Sequence, residues 1–251
     1  NNYEAGSFSS TTSASFSVDF AIGAESGNDA DGNTSDGSSE AIGTAYGYQI
    51  DLSTSFTGED ALSVSLDAGA GAGALGELDL NSAGDGLIVD GITYSFPLGE
   101  KTTVLVGDST DGSALYSTAC VYGGFTNTLD DCGNANSAFT APDDSVALSA
   151  SYDIGNGFTG AFGYAGQGGI SSGLMTKEGT DYYGAQVSYA ADNYGASVTY
   201  ANIESGDDTV YWGLNAYYVP EASLPSISAG YEMGDPETAK DSTQWFVGLQ
   251  W

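Results

Sequence analysis

Hydrophobic and polar residues alternate with a period of two along most of this 251-residue chain. Phe16, Val18, Phe20 and Ile22 alternate with Ser15, Ser17, Asp19 and Ala21; Ile42, Tyr46, Tyr48, Ile50, Leu52 and Phe56 alternate with Gly43, Ala45, Gly47, Gln49, Asp51, Ser53 and Ser55. Successive side chains of a strand point to opposite faces, so each run predicts a strand with one apolar and one small or polar face. Leu62, Val64, Leu66, Ala68 and Ala70 oppose Ser63, Ser65, Asp67 and Gly69, and Val146, Leu148, Ala150, Tyr152 and Ile154 oppose Ala147, Ser149, Ser151 and Asp153. Further strands are predicted near residues 87–96, 102–108, 158–164, 181–191, 194–203, 209–219, 226–233 and 242–251, which makes twelve. The run "TTVLVGD" at 102–108 is too evenly apolar for its faces to be assigned. In the final "STQWFVGLQW", Leu249, Val247, Trp245 and Thr243 share one face and Gln250, Gly248 and Gln244 the other, with Phe246 the exception.

The connections sort by length. "ESGNDADGNTSDGSSE", "GALGELDLNSAGDG", the stretch 109–143 and the loop 166–180 are long; "TGED", "PLGEK", "GNG" and Asp192-Asn193 fall between them and are short. Long and short swap regularly until the penultimate pair. A soluble sandwich has no reason to segregate loops in this way, whereas an outer-membrane barrel has short periplasmic turns and long external loops. The fold class expected is therefore all-β: a transmembrane antiparallel up-and-down barrel of twelve strands in one domain, residues 1–251, with both ends periplasmic. The fourth strand, "LIVDGITYSF", breaks strict alternation. Continuing from Phe96, Tyr94 and Ile92 would put Asp90 on the apolar face, so a bulge at Asp90-Gly91 is expected, returning Val89 to that face and turning Asp90 inward.

Composition narrows the function. The formal net charge is -31, from 34 acids against Lys101, Lys177 and Lys240, with no arginine and no histidine. Such a chain repels polyanions, so nucleic acid is excluded as a partner. Without histidine there is no Ser-His-Asp or Cys-His arrangement and no common zinc ligand set, and no enzyme is expected. There is no apolar run long enough for a membrane helix, which a barrel does not need. Twenty of the 34 acids fall in or beside the outer loops. On the strands, Asp19, Asp51, Asp67 and Asp153 all take the small-residue face, which would be the lumen. Aromatics near predicted strand ends match two interfacial girdles: Phe56, Tyr94, Phe96, Tyr152, Phe158, Tyr194, Tyr218 and Trp251 at the short-turn end, and Tyr46, Tyr164, Tyr182, Tyr200 and Trp212 at the other.

Two stretches, "DLSTSFTGEDALSVSLDAG" from Asp51 to Gly69 and "GITYSFPLGEKTTVLVG" from Gly91 to Gly107, resemble the barrel part of cyanobacterial outer-membrane porins of the carbohydrate-selective porin superfamily. The first is similar to that family's strand, "SFTG-(D/E)-L" turn and strand, the second to its "F-P-(L/V)-G-(D/E)-K" turn. The resemblance implies a homotrimeric channel in the bacterial outer membrane, in contact with lipid and lipopolysaccharide and passing ions or small solutes. Two features depart from the family: neither its surface-layer-homology segment nor its coiled coil is found here, and its barrels are longer, so roughly fourteen to sixteen strands are the alternative to a smaller pore.

Three constellations carry candidate chemistry. Cys120 and Cys132 lie in the longest connection, and in an oxidising compartment they read as a disulfide that removes on the order of 3 kcal/mol of loop entropy from the unfolded state. The pinned loop, 109–143, either folds into the barrel and narrows it or is a stapled surface loop. In the first case Asp111, Asp130 and Asp131 bring carboxylates to the constriction, and carboxylate rings favour cations. In "NDADGNTSDG", Asp29, Asp31 and Asn33, with Glu40 at the twelfth position, have calcium-loop spacing; no helices flank them, and a solvated acidic loop is the preferred reading. No cofactor is expected beyond a divalent cation that these loops could hold or bridge to lipopolysaccharide phosphate. The expected function is passive diffusion of ions and small hydrophilic solutes with a preference for cations. The alternative is a non-conducting barrel that displays acidic loops for adhesion or envelope structure.

Overall fold

The computed structural model describes residues 11–24, 42–70, 84–117, 145–167, 173–176, 179–205, 208–220 and 224–250. Its twelve strands are β1 (Thr12–Gly23), β2 (Gly43–Thr54), β3 (Ala61–Ala70), β4 (Gly84–Pro97), β5 (Thr102–Asp108), β6 (Val146–Gly155), β7 (Phe158–Gly166), β8 (Asp181–Ala190), β9 (Tyr194–Glu204), β10 (Thr209–Tyr218), β11 (Ser226–Pro236) and β12 (Ser242–Gln250). They form one sheet in sequence order, each strand antiparallel to the next. This is the up-and-down arrangement of a β-barrel, with β1 and β12 the outermost strands of the array. Among the described residues, no helix is long and apolar enough to cross a membrane.

Directly paired residues of an antiparallel sheet share a face, so the register carries the two faces across the molecule. Phe16 pairs with Ile50 and Ile50 with Leu66; one residue along, Ser15 pairs with Asp51 and Asp51 with Ser65. The apolar face is the exposed one: Phe20 is 81% and Trp245 75% accessible, and Leu148, Val187, Val198, Trp212 and Leu214 are open as well. From β6 to β11 the polar face is the buried one, with Ser149 and Thr199 at 0%. A soluble protein does the reverse, and a continuous exposed apolar face of this size needs a non-aqueous neighbour. We call the apolar face outer and the polar face inner.

Three irregularities in the pattern have structural causes. At β4 the register steps from Ser65↔Gly91 to Leu66↔Val89 and skips Asp90, which is the expected bulge and places Val89 opposite Leu66 on the outer face. Phe246 does lie on the inner face; it pairs with Gly230, where a β-carbon would collide with the phenyl ring. The same fit recurs at Tyr217 over Gly195 and Tyr211 over Gly234, so inner aromatics rest on glycines of the next strand. In β5, pairing assigns Val104 and Val106 to the outer face and Leu105 to the inner, where it is buried.

Rings collect at both ends of the outer face. Phe56–Tyr94, Tyr94–Phe96, Phe158–Tyr189 and Tyr189–Tyr194 contact one another at the short-turn end, and Phe20–Tyr46 and Tyr164–Tyr183 at the long-loop end. One expectation is corrected. Tyr182 pairs with Ala165 and Ile203 on the inner face, and its neighbour Tyr183 takes the girdle position, because β8 begins one residue out of the assumed phase. Short turns use left-handed backbone where needed: in "GNG", Gly155, Asn156 and Gly157 all have positive φ, and a β-carbon on Gly157 would strike the Ala190 carbonyl.

Candidate functional site: the inner wall and its loop

The connection after β5 turns inward at once. Gly91 and Gly107 leave the inner face bare there: a β-carbon on Gly91 would sit 2.9 Å from the Ser109 carbonyl, and one on Gly107 would meet the Thr110 methyl at 2.6 Å. Ser109 takes φ +50° at the corner, and Ala114 and Tyr116 donate backbone hydrogen bonds to the Asp111 and Ser113 carbonyls. The segment 109–117 then crosses the wall strand by strand. The Ser149 hydroxyl of β6 donates to the Gly112 carbonyl, the buried Tyr116 hydroxyl lies at the Gly163 backbone of β7, and the Ser117 N–H donates 2.7 Å to Gln186 Oε1 of β8. Burial pushes the Tyr116 phenol above its ordinary range. Gln186, 3% exposed, passes its Nε2 to Thr199 Oγ1 of β9 at 3.0 Å, so one amide ties loop to wall.

Small side chains make the space. Ala147, Ser149 and Ala165 are buried on the inner face of β6 and β7, and Gly163 pairs with Gly184. Period-two reading found the face but not this use of it, and Gln186, Tyr116 and the Gly91–Gly107 pair were missed as functional residues. The available signal was the crowding of Gly and Ala on the inner positions nearest the long loops.

The acids expected on the wall divide. Asp19 on β1 is exposed and pairs with Gly47. Asp51 on β2 accepts 2.8 Å hydrogen bonds from Gln49 Nε2 and Ser65 Oγ and a longer one, 3.3 Å, from Ser15 Oγ. Asp67 on β3 is buried and pairs with Gln49, so that glutamine stands between two carboxylates. These three share the inner face of β1 to β3. Asp153 shares that face but sits at the short-turn end of β6, where its carboxylate accepts the Gly155 N–H at 2.8 Å and serves the turn. Glu232 on β11, opposite Gln244 and buried, is a further inner-face acid that alternation with Tyr231 and Met233 could have revealed. Asp111 lies in the inward segment and is half-buried. Asp130, Asp131, Cys120, Cys132, Asp29, Asp31, Asn33 and Glu40 lie outside the described residues.

An apolar belt outside, a polar wall inside and a loop laid across that wall define the class: a membrane-spanning β-barrel with an inward-folded loop. Comparison with known proteins finds no matching family model and no matching curated protein. Solved structures do align. A doubly substituted variant of the Rh. blastica porin is 14% identical, with 84% of this chain and 81% of that one covered and a TM-score of 0.47. A loop-deletion form of OmpT, an outer membrane protein of Vibrio cholerae, is 15% identical over 95% and 87%, TM-score 0.43, and an anion-selective porin from Comamonas acidovorans is 13% identical over 94% and 90%, TM-score 0.39.

Proposed function

We propose that this chain is a porin of the bacterial outer membrane: a passive channel for ions and small hydrophilic solutes that works as a homotrimer and favours cations. The observation that carries the reading is the placement of 109–117. The segment occupies the inner face from β4 to β8 and leaves Asp19 and the half-buried Asp51 on the other part of the same face. A wall partly filled by a loop and partly lined by hydroxyls, amides and carboxylates is what a narrow aqueous passage requires. The "SFTGED" and "FPLGEK" turns support a cyanobacterial relative, and the trimer rests on that resemblance.

The preference for cations follows from one-sided charge. Lys101 and Lys240 lie in the β4–β5 and β11–β12 connections, and the chain has no arginine, so no described cation faces Asp19, Asp51, Asp67 or Glu232 across the wall. The test is a single-channel recording in planar bilayers with a KCl gradient. A reversal potential of cation sign in dilute salt is the expected result; anion preference there would overturn the electrostatic reading. A second reading, a non-conducting barrel displaying acidic loops, is favoured by the burial of Ser197, Thr199, Asn215 and Ser228 along β9 to β11. Absence of any conductance from folded protein would select it.

A further inference from the structure

In the β7–β8 connection the segment 173–176 goes the opposite way from 109–117. Tyr164 belongs to the outer face: it pairs with Leu148 and Tyr183, and the outer-face residues Phe162, Leu148 and Val187 of the same three strands are about half exposed. Tyr164 itself is only 4% exposed. The Met175 backbone reaches its hydroxyl end, where the two meet one carboxylate oxygen. Asp181, first residue of β8 and 1% exposed, accepts the Tyr164 hydroxyl at 2.5 Å and the Met175 N–H at 3.2 Å on the same oxygen. A buried carboxylate must be hydrogen-bonded to be tolerated, and here its donors are one outer-face phenol and the tip of the loop. The tip is thereby held against the outside of the barrel at its long-loop end. Met175 takes φ +57°, uncommon for a residue with a side chain, and it is 67% exposed beside the partly exposed Leu174.

We infer that the Leu174-Met175 tip is a built lipid anchor, inserting into the acyl region of the outer leaflet above Phe162 and Val187. Leu174 and Met175 are exposed apolar side chains at the long-loop end of an outer face whose large residues, Phe162 and Val187 among them, are exposed and apolar, which is the arrangement an interfacial insertion uses. A second copy of the chain is the rival occupant. Two exposed side chains, Leu174 and Met175, offer far less surface than a stable contact between protein copies buries, which favours acyl chains as the occupant.

The inference rests on the outer face meeting lipid, and its test separates the two. Bimane is placed at Met175→Cys or, as reference, at Val187→Cys, in a Cys120→Ser, Cys132→Ser background, and the protein is reconstituted in phosphatidylcholine vesicles with or without brominated acyl chains. The expected result is quenching at Met175 within about twofold of that at Val187, lost on adding Asp181→Ala while the Val187 signal stays. Quenching at Val187 alone overturns the anchor and leaves the membrane reading intact; quenching at neither overturns both. Pyrene excimer emission from Met175→Cys, without bromine quenching, assigns the tip to a second copy and also overturns the anchor. If the cysteine-free background does not fold, Met175→Trp in the otherwise native chain gives the same readout as added quenchable emission.

Discussion

Asp60 shows how one side chain can hold a connection. Its Oδ1 accepts the Phe56 and Thr57 N–H groups at 3.0 and 2.7 Å and the Ser55 and Thr57 hydroxyls at 2.8 Å each, while Oδ2 accepts the Tyr94 hydroxyl of β4 at 2.8 Å. The Thr57 backbone donor above all, with the hydroxyls, holds this carboxyl well below the usual aspartate range against the opposing effect of burial. A lowered folded-state pKa contributes stability that is present above the unfolded value, near 3.9, and is lost as pH falls through the folded one. Asp60→Ala should therefore lower the melting temperature at pH 6, and the gap from wild type should shrink as pH is taken below about 4. Thermal melts in detergent across that range check it; a gap that holds constant to pH 2 would remove the carboxylate from the account. Gln186 is the corresponding residue of the wall. Gln186→Ala deprives Ser117 N–H and Thr199 Oγ1 of a partner, and leaving buried polar groups unpaired costs about 1 to 3 kcal/mol. Lower stability together with noisier, larger single-channel currents is expected, since the end of the inward segment is released; unchanged current noise would mean that the loop is held elsewhere.

At the scale of elements, the extra residue in β4 keeps two long alternations in phase. The ladder from Ala61 to Ser65 and the pair Leu66↔Val89 agree on which face is outer only because Asp90 is skipped. Deleting Asp90 should be tolerated, with the folded, heat-modifiable band retained in electrophoresis. Deleting Val89 should not be, because it leaves Asp90 opposite Leu66 on the apolar face. The two deletions are equal in length, so a difference between them reports on face and not on strand shortening. The strands were legible in the sequence because parity is a property of the local backbone. Even Phe246, which breaks the last strand's pattern, obeys parity; what could not be read was that Gly230 on β11 leaves room for its ring. Tyr182 was misplaced for a related reason: two adjacent tyrosines offer no parity signal, and only the pairing of β8 with β7 and β9 selects Tyr183 for the outer face.

At the scale of the whole molecule the argument concerns fields and access. In the channel we propose, carboxylates on β1 to β3 act on permeating ions from one side, and their reach is the Debye length, about 30 Å at 0.01 M salt and about 3 Å at 1 M. Cation preference should thus be pronounced in dilute salt and fade in concentrated salt, and the pair Asp19→Asn, Asp51→Asn should weaken it in dilute salt with little change at 1 M. Asp153→Asn should do less than either, because that carboxylate serves its turn at the short-turn end. Reversal potentials at two ionic strengths measure all of this; an Asp153 effect as large as that of Asp51 would mean the field is distributed differently.

By itself the sequence determined the twelve strands of the described residues, the faces of all but β5 and the start of β8, the bulge in β4 and the segregation of connections, all of which follow from alternation within a few residues and from turn chemistry. Tertiary structure decided the rest. Whether a carboxylate lines the wall, as Asp51 does, or ties a turn, as Asp60 and Asp153 do, depends on which donors the folded chain turns toward it: Ser15 and Ser65 of the flanking strands for Asp51, chiefly the turn's own N–H groups for Asp60 and Asp153. That 109–117 turns inward and 173–176 outward depends on Gly91, Gly107 and Gly163 leaving space on one face, and on Asp181 and Tyr164 holding the tip on the other. Those are contacts across separate strands and connections, such as Asp181 with Tyr164 of the neighbouring strand and Ser117 with Gln186 of β8. Period two states which face a residue takes but not what its neighbours leave open for a loop.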